Sequence, residues 1–279
     1  VNLRQALAHA SRTLAESHVE DASLEGEILL RHVLGMNRAQ LYTDLDRDLG
    51  TKQQKTLNQL LKRRQHGEPS AYITGHREFY GLDFRVDRNV LIPRPETELL
   101  VELAIKLAQE HPILKIADIG TGCGAITISL AINLPQATVY AIDISVAALE
   151  MARYNCARYG VADGVVLLQG DLLEPLDETV DMIVANLPYV READIPQRGS
   201  LSYEPALALN GGKDGLEKIK IICWQAAKKL NKDGFLLIET GEGQAEKVVN
   251  ILCKAFPAPS IEVHKDLASI ERVVSLRLT

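Results

Sequence analysis

Over residues 1–67 apolar positions recur at helical spacing and no alternating strand pattern interrupts them. Leu3, Leu7, Ala10 and Leu14 mark a first helix, and Leu24, Ile28, Leu29 and Val33 a second one stopped by Gly35. A third carries clearer punctuation: Thr51 and Gln54 read as a capping-box pair, Leu57, Leu60 and Leu61 as the apolar stripe, Gly67 and Pro69 as the stop. These leucines read as the core of a small bundle. From Pro69 to Pro95 the helical spacing lapses, and F-Y-G-L-D-F-R-V (79–86) alternates like a short hairpin around Gly81. Pro93 and Pro95 then precede a helix over 96–110, with Glu96 and Glu98 at its positive end.

Beyond that point the pattern becomes strand, helix, strand, helix: 115–119, 125–132, 138–142, 147–159, 165–169, 180–185. The last third adds a helix over 216–230, a strand over 235–239, a helix over 244–255 and two closing strands, 260–264 and 272–278. Strands alternating with helices of this length predict an α/β fold with right-handed crossovers, and two consecutive strands with a short join must pair antiparallel. The expectation is a Rossmann-like, seven-stranded, mostly parallel sheet with a terminal antiparallel strand, plus a small N-terminal helical bundle. The domains expected are a helical substrate-recognition domain (1–68), a linker with a short hairpin (69–90) and an α/β domain (91–279).

Composition narrows the function classes. At 279 residues, 46% hydrophobic and 24% charged, the chain is of ordinary globular type. Cys123, Cys156, Cys223 and Cys253 form no C-x-x-C pair, which excludes a zinc ribbon or a disulfide framework and fits a reducing, cytoplasmic setting. No apolar stretch approaches the roughly 20 residues that span a bilayer, so no membrane partner is expected. A net charge of −6 speaks against affinity built on neutralising nucleic-acid phosphates. Residues 1–90 hold 13 Lys plus Arg against 12 Asp plus Glu, leaving 18 against 25 for the rest. A neutral bundle reads as a protein-docking module or a lid, and no direct nucleic-acid contact is expected. Lys62-Arg63-Arg64 reads as a solvated helix end, and none of the seven histidines pairs at metal-ligand spacing.

Two stretches carry candidate chemistry. V-D-M-I-V-A-N-L-P-Y (180–189) is an apolar run that ends in an amide, a proline and an aromatic ring. Ligands of open α/β sheets bind outside the carboxyl ends of such strands, so Asn186 stands where chemistry is expected. Its side-chain oxygen and the next backbone carbonyl offer two acceptors, and Tyr189 a flat apolar face, a set that suits a planar NH2 group. The bland alternative is a turn that merely stops the strand. The second stretch, D-I-G-T-G-C-G-A (118–125), follows one strand and opens a helix, where glycines admit a ligand to the backbone. That loop, with Asp143 beyond it, fits either a dinucleotide or S-adenosylmethionine. Asp118 favours the latter, because a carboxylate repels a pyrophosphate and attracts a sulfonium or ammonium. Asp171 and Leu172 end the third strand, where they can reach an adenine edge and cover its face. Singly, Asp118 also reads as a helix cap, Asp171 as a turn residue and Cys123 as a small filler.

In this order the motifs resemble the class I S-adenosylmethionine-dependent methyltransferases. A narrower resemblance covers nearly the whole chain: P-S-A-Y-I-T-G-H-R-E-F-Y-G (69–81), L-I-P-R-P-E-T-E (91–98), D-I-G-T-G-C-G-A, N-L-P-Y, Y-E-P-A-L-A-L (203–209) and K-D-L-A-S-I-E-R-V-V (265–274) are similar to the PrmC/HemK family. The resemblance implies transfer of a methyl group from S-adenosyl-L-methionine to the glutamine N5 of the Gly-Gly-Gln motif in class-one peptide-chain release factors, with S-adenosyl-L-homocysteine as product. It also implies that the helical domain recognises the release factor. Carried over residue by residue, Asp118, Gly120, Thr121, Gly122, Cys123, Gly124, Asp143, Asp171, Leu172 and Asn186 are expected at the cofactor. Asn186, Leu187, Pro188 and Tyr189 are expected at the reacting amide, with Glu204 closing the substrate side. The family motif is N-P-P-Y; Leu187 keeps the carbonyl but not the fixed φ, and Pro188 still pushes it toward extended backbone. The competing readings are an adenine-N6 nucleic-acid methyltransferase, which presents the same planar NH2, a non-catalytic docking protein, and a dehydrogenase.

Overall fold

The structure is a computed structural model that describes residues 1–278. The chain forms two compact units, Val1–His76 with Pro196–Tyr203, and Arg77–Ile195 with the residues from Glu204 onward.

The first unit is helical: α1 (Leu3–Ala15), α2 (Ala22–Leu34), a short α3 (Arg38–Thr43), α4 (Thr51–Gln65) and a single turn, α5 (Ser70–Thr74). Leu3, Ala10, Leu14, Leu29, Leu30, Leu57 and Leu61 meet in one core. At Gly26 a Cβ would stand 3.0 Å from the Ser11 nitrogen, so the missing side chain lets α1 and α2 approach. Three sequence expectations shift. The cap of α4 is Gly50, whose N–H donates to Gln53 Oε1 at 3.1 Å, and Thr51 is the first helical residue. Leu24 is exposed, whereas Glu27 one turn on is buried against Arg31, Arg38 and the Tyr42 hydroxyl. The inward face of α2 thus includes an acid that hydropathy assigns to solvent. Helix α3 is too short to show a period, although Asn37 and Gln40 form a reciprocal cap.

The second unit begins with a hairpin, β1 (His76–Phe79) and β2 (Leu82–Arg85), turned by Tyr80 and Gly81, both at positive φ. It then runs α6 (Glu98–Glu110), β3 (Lys115–Ile119), α7 (Ala125–Asn133), β4 (Thr138–Asp143), α8 (Val146–Tyr159), β5 (Val165–Gln169) and β6 (Val180–Ala185). The chain continues through α9 (Ala206–Leu209), α10 (Glu217–Lys229), β7 (Leu230–Glu239), α11 (Ala245–Ala255), β8 (Ser260–Lys265) and β9 (Glu271–Arg277). The hairpin is packed down, not free: Arg85 N–H donates to Asn155 Oδ1 and Asp83 N–H to the Tyr159 hydroxyl, both residues of α8.

Seven strands form the sheet in the order β5-β4-β3-β6-β7-β9-β8. Strands β3 to β7 are parallel, while β9 runs antiparallel between β7 and β8. The winding reverses between β3 and β6, which opens a crevice at their carboxyl ends. Register sets what meets there. Ile119 pairs with Ile142 on one side and Ala185 on the other, so Gly120, Asp143 and Asn186 emerge side by side. Ala117, Ile119, Ile183 and Ala185 are buried beneath that edge. No helix among the described residues is long and apolar enough to cross a membrane.

Candidate active site

The crevice contains a cavity lined by Gly120, Gly122, Asp143, Asp171, Leu172, Asn186, Leu187 and Pro188. Its glycine loop runs through positive φ at Gly120, Gly122 and Gly124, a path open to glycine alone at little cost. A Cβ on Gly122 would meet nothing nearer than 4.0 Å, whereas one on Gly124 would press on Ile128 and Ala152 at 3.2–3.4 Å. The first glycine thus keeps open space free and the second lets α7 settle on α8. Asp143 holds the loop through Oδ2, which accepts the Gly122 N–H at 2.9 Å, and its Oδ1 accepts the Ser145 N–H at 2.9 Å. Burial raises its carboxyl above the usual range, and these backbone donors oppose the shift.

Four of the loop residues expected at the cofactor lie off the cavity wall: Asp118, Thr121, Cys123 and Gly124. Asp118 is wholly buried, and its Oδ2 accepts the Thr121 and Thr127 hydroxyls and the Thr127 N–H. Its Oδ1 has no hydrogen-bond partner, and burial pushes the carboxyl up to about 6. Asp118 therefore ties the loop to the first turn of α7 from below. Cys123 is buried with its thiol pushed up to about 12, so it is neither nucleophile nor ligand, and its carbonyl accepts from Asn155 Nδ2 at 2.9 Å.

At the far wall, Asp171 takes Lys218 Nζ on both oxygens at 3.0 Å, and Leu172 adopts φ +53, a strained conformation for a leucine. Lys218 also lines the cavity, as do Asn89, Leu91, Ile144, Pro205 and Leu207, none of which sequence reasoning found. They lie on loops and helix faces where nothing in the local pattern marks them.

Asn186 projects from the end of β6, and its Nδ2 donates to Thr97 Oγ1 at 3.0 Å. Leu187 is buried, with Cδ2 3.6 Å from where a Gly120 Cβ would stand, so it packs the amide loop against the glycine loop. Pro188 lines the cavity but Tyr189 does not. Tyr189 turns behind it: its carbonyl accepts from Gln244 Nε2 at 3.0 Å, and burial near Glu239 lifts its phenol to about 12. Glu204 is likewise not on the wall. Its carboxylate is taken by the Arg94 guanidinium and by the Ile92 N–H at 3.1 Å, so it anchors the strap L-I-P-R-P-E-T that carries Thr97.

Comparison with known proteins agrees with this geometry. The description "PrmC N-terminal domain" matches residues 5–75 and "Methyltransferase small domain" residues 96–198. The release factor glutamine methyltransferase of Moorella thermoacetica is 43% identical, covering 90% of this chain and 89% of its own. That of Geobacter sulfurreducens is 40% identical over 99% of this chain and 96% of its own. Among solved structures, the ribosomal protein L11 methylase of Lactobacillus delbrueckii subsp. bulgaricus superposes with a TM-score of 0.53 at 23% identity, covering 70% of this chain and 86% of that one, a likeness of fold. With relatives this similar over nearly its whole length, the chain belongs to the release factor glutamine methyltransferase family.

Proposed function

We infer that the chain transfers a methyl group from S-adenosyl-L-methionine to the side-chain amide nitrogen of a release-factor glutamine, and that the Gly-Gly-Gln motif of class-one release factors is the site. One observation carries this reading: Asn186 spends its Nδ2 on Thr97 and so has its carbonyl oxygen left to accept, in a cavity beside a glycine loop. The wall suits the donor. Asp143 would take the ribose hydroxyls, and Ile144, Leu172 and Leu207 offer apolar surface for a purine. Gly122 leaves room where a side chain would block entry. The Asp118 carboxylate beneath the loop supplies negative charge toward a sulfonium, with Oδ1 uncommitted. When bound, S-adenosylmethionine supplies an electrophilic methyl group and leaves as S-adenosylhomocysteine.

An amide nitrogen is a weak nucleophile because its lone pair is delocalised into the carbonyl, so the protein's task is orientation. Asn186 Oδ1 and the Leu187 carbonyl would each accept one N–H and aim the nitrogen at the methyl carbon. As the new N–C bond forms, one amide proton passes to water. No strong base is needed. Pro188 would flank the amide, and Tyr189 supports the turn from behind. The helical unit is proposed to recognise the release factor, with its neutral charge suited to a protein partner. Arg63 and Arg64 are engaged by Glu68 and Glu25, at 2.7 Å each, instead of forming a free basic patch. The cytoplasm is the proposed location.

The test offers labelled S-adenosylmethionine with a class-one release factor, its Gly-Gly-Glu variant and duplex DNA in parallel. Label is expected in the first alone, since a site built to bond an NH rejects the isostere lacking it by about 10⁴. Asn186→Ala should lower turnover by roughly 10² while S-adenosylhomocysteine still binds. Label in DNA only would install the adenine-N6 reading instead.

A further inference from the structure

Asn186 has two faces of opposite character, an acceptor and a donor, and methylation of an amide needs the acceptor in the cavity. What decides the flip lies behind it. Thr97, buried in the turn Pro95–Thr97, accepts from Asn186 Nδ2 at 3.0 Å. Beyond Thr97 stands Glu239, the last residue of β7, buried, with the hydroxyls of Thr97 and Tyr189 hydrogen-bonding toward its carboxylate and Oε2 without a partner. An ionised carboxylate can only accept, so the single Thr97 proton is directed at Glu239 and a lone pair is left for Asn186. That lone pair can be matched only by Nδ2. Turned the other way, Asn186 would set its oxygen against an oxygen.

We propose that Thr97 and Glu239 are positioning residues: the relay Glu239–Thr97–Asn186 locks the Asn186 amide with its oxygen toward the substrate, and so selects glutamine over glutamate. The inference rests on the glutamine-methylation reading above and deepens it. Neither residue touches the reacting atoms. Neither lines the cavity. Their effect should therefore appear as a change in which side chain the site accepts, something a merely structural role would leave alone.

Thr97→Val keeps the shape and removes the hydroxyl; Thr97→Ser keeps the hydroxyl and removes the methyl. Assayed at pH 8 with intact protein and release factor, Thr97→Val is expected to lose about tenfold or more in kcat. Its affinity for S-adenosylhomocysteine should stay within about twofold, because donor contacts are untouched. The Gly-Gly-Glu release factor should inhibit it several-fold more tightly than wild type, because the freed amide can turn its NH2 to a carboxylate. Thr97→Ser should restore both kcat and the preference. Glu239→Gln, which can return a hydrogen bond to Thr97, is a second route to the same loss of preference. Wild-type kcat and unchanged inhibition in Thr97→Val would overturn the inference, as would a Thr97→Ser variant as impaired as Thr97→Val. A wild-type enzyme silent on the glutamine substrate in the same assay would instead sink the reading on which the inference rests.

Discussion

Asn186 was legible because an apolar strand ends on it, and β6 does run buried from Val180 to Ala185 before the amide emerges. The residues that orient it were not. Glu239 closes the apolar strand β7 and reads in sequence like a solvated strand end, and Thr97 reads like one more residue in the first turn of a helix. Asp118 shows the reverse error. Charge logic set it against a cation, but burial and three donors on Oδ2 show that its first task is to hold the loop. A pH dependence follows from Glu239, whose carboxyl burial raises to about 7 against the pull of Thr97, Arg272 and Tyr189, with Glu96 adding to the rise. Below that value Glu239 is protonated and can donate to Thr97, which frees the Asn186 flip; above it the relay is locked. Turnover should thus rise with pH through about 7, and Glu239→Gln should remove that limb from the kcat profile. Stability runs the other way. Between the ordinary carboxylate value and about 7 the folded chain keeps a proton that the unfolded chain has lost, so this group's contribution falls as pH rises across that window. A kcat limb that survives Glu239→Gln would assign it to another group.

The amide loop owes its shape to an element without regular structure, G-G-K-D-G (211–215), which no period or propensity flags. Val190 N–H donates to the Leu209 carbonyl and Gly211 N–H to the Val190 carbonyl, pairing the chain after Tyr189 with this segment. A Cβ on Gly211 would stand 2.6 Å from the Pro188 carbonyl oxygen and 2.7 Å from that of Gly215. Both contacts are with backbone, so the loop itself would have to move. Gly211→Ala should therefore cost about 1–3 kcal/mol in stability. Because a misplacement of about 1 Å can cost 10² in rate, kcat should fall by roughly that order while S-adenosylhomocysteine affinity holds. Thermal melts and steady-state kinetics on the one variant check both, and an unchanged kcat would show that the loop does not depend on this support. Asn155 plays the matching part for the glycine loop, donating to the carbonyls of Cys123 and Arg85 while accepting the Arg85 N–H. An asparagine inside a helix pattern gives no sign of such a role.

At the scale of the whole molecule, alternation of strand and helix periods was enough to forecast a seven-stranded sheet with antiparallel pairing at its end, and the sheet order agrees. Period-two and period-3.6 signals survive in single segments, which is why that much is readable. What joins distant segments leaves no such trace: Pro196–Tyr203 groups with the N-terminal helices although about 120 residues separate them. The two carbonyl acceptors at residues 186 and 187 remain the account's centre, and a crystal structure with S-adenosylhomocysteine and a Gly-Gly-Gln peptide tests them most directly. The account predicts the glutamine nitrogen within hydrogen-bond reach of Asn186 Oδ1 and the Leu187 carbonyl, with the donor's sulfur facing it. A glutamine whose nitrogen bonds neither oxygen, or an Asn186 amide turned with Nδ2 into the cavity, would contradict it.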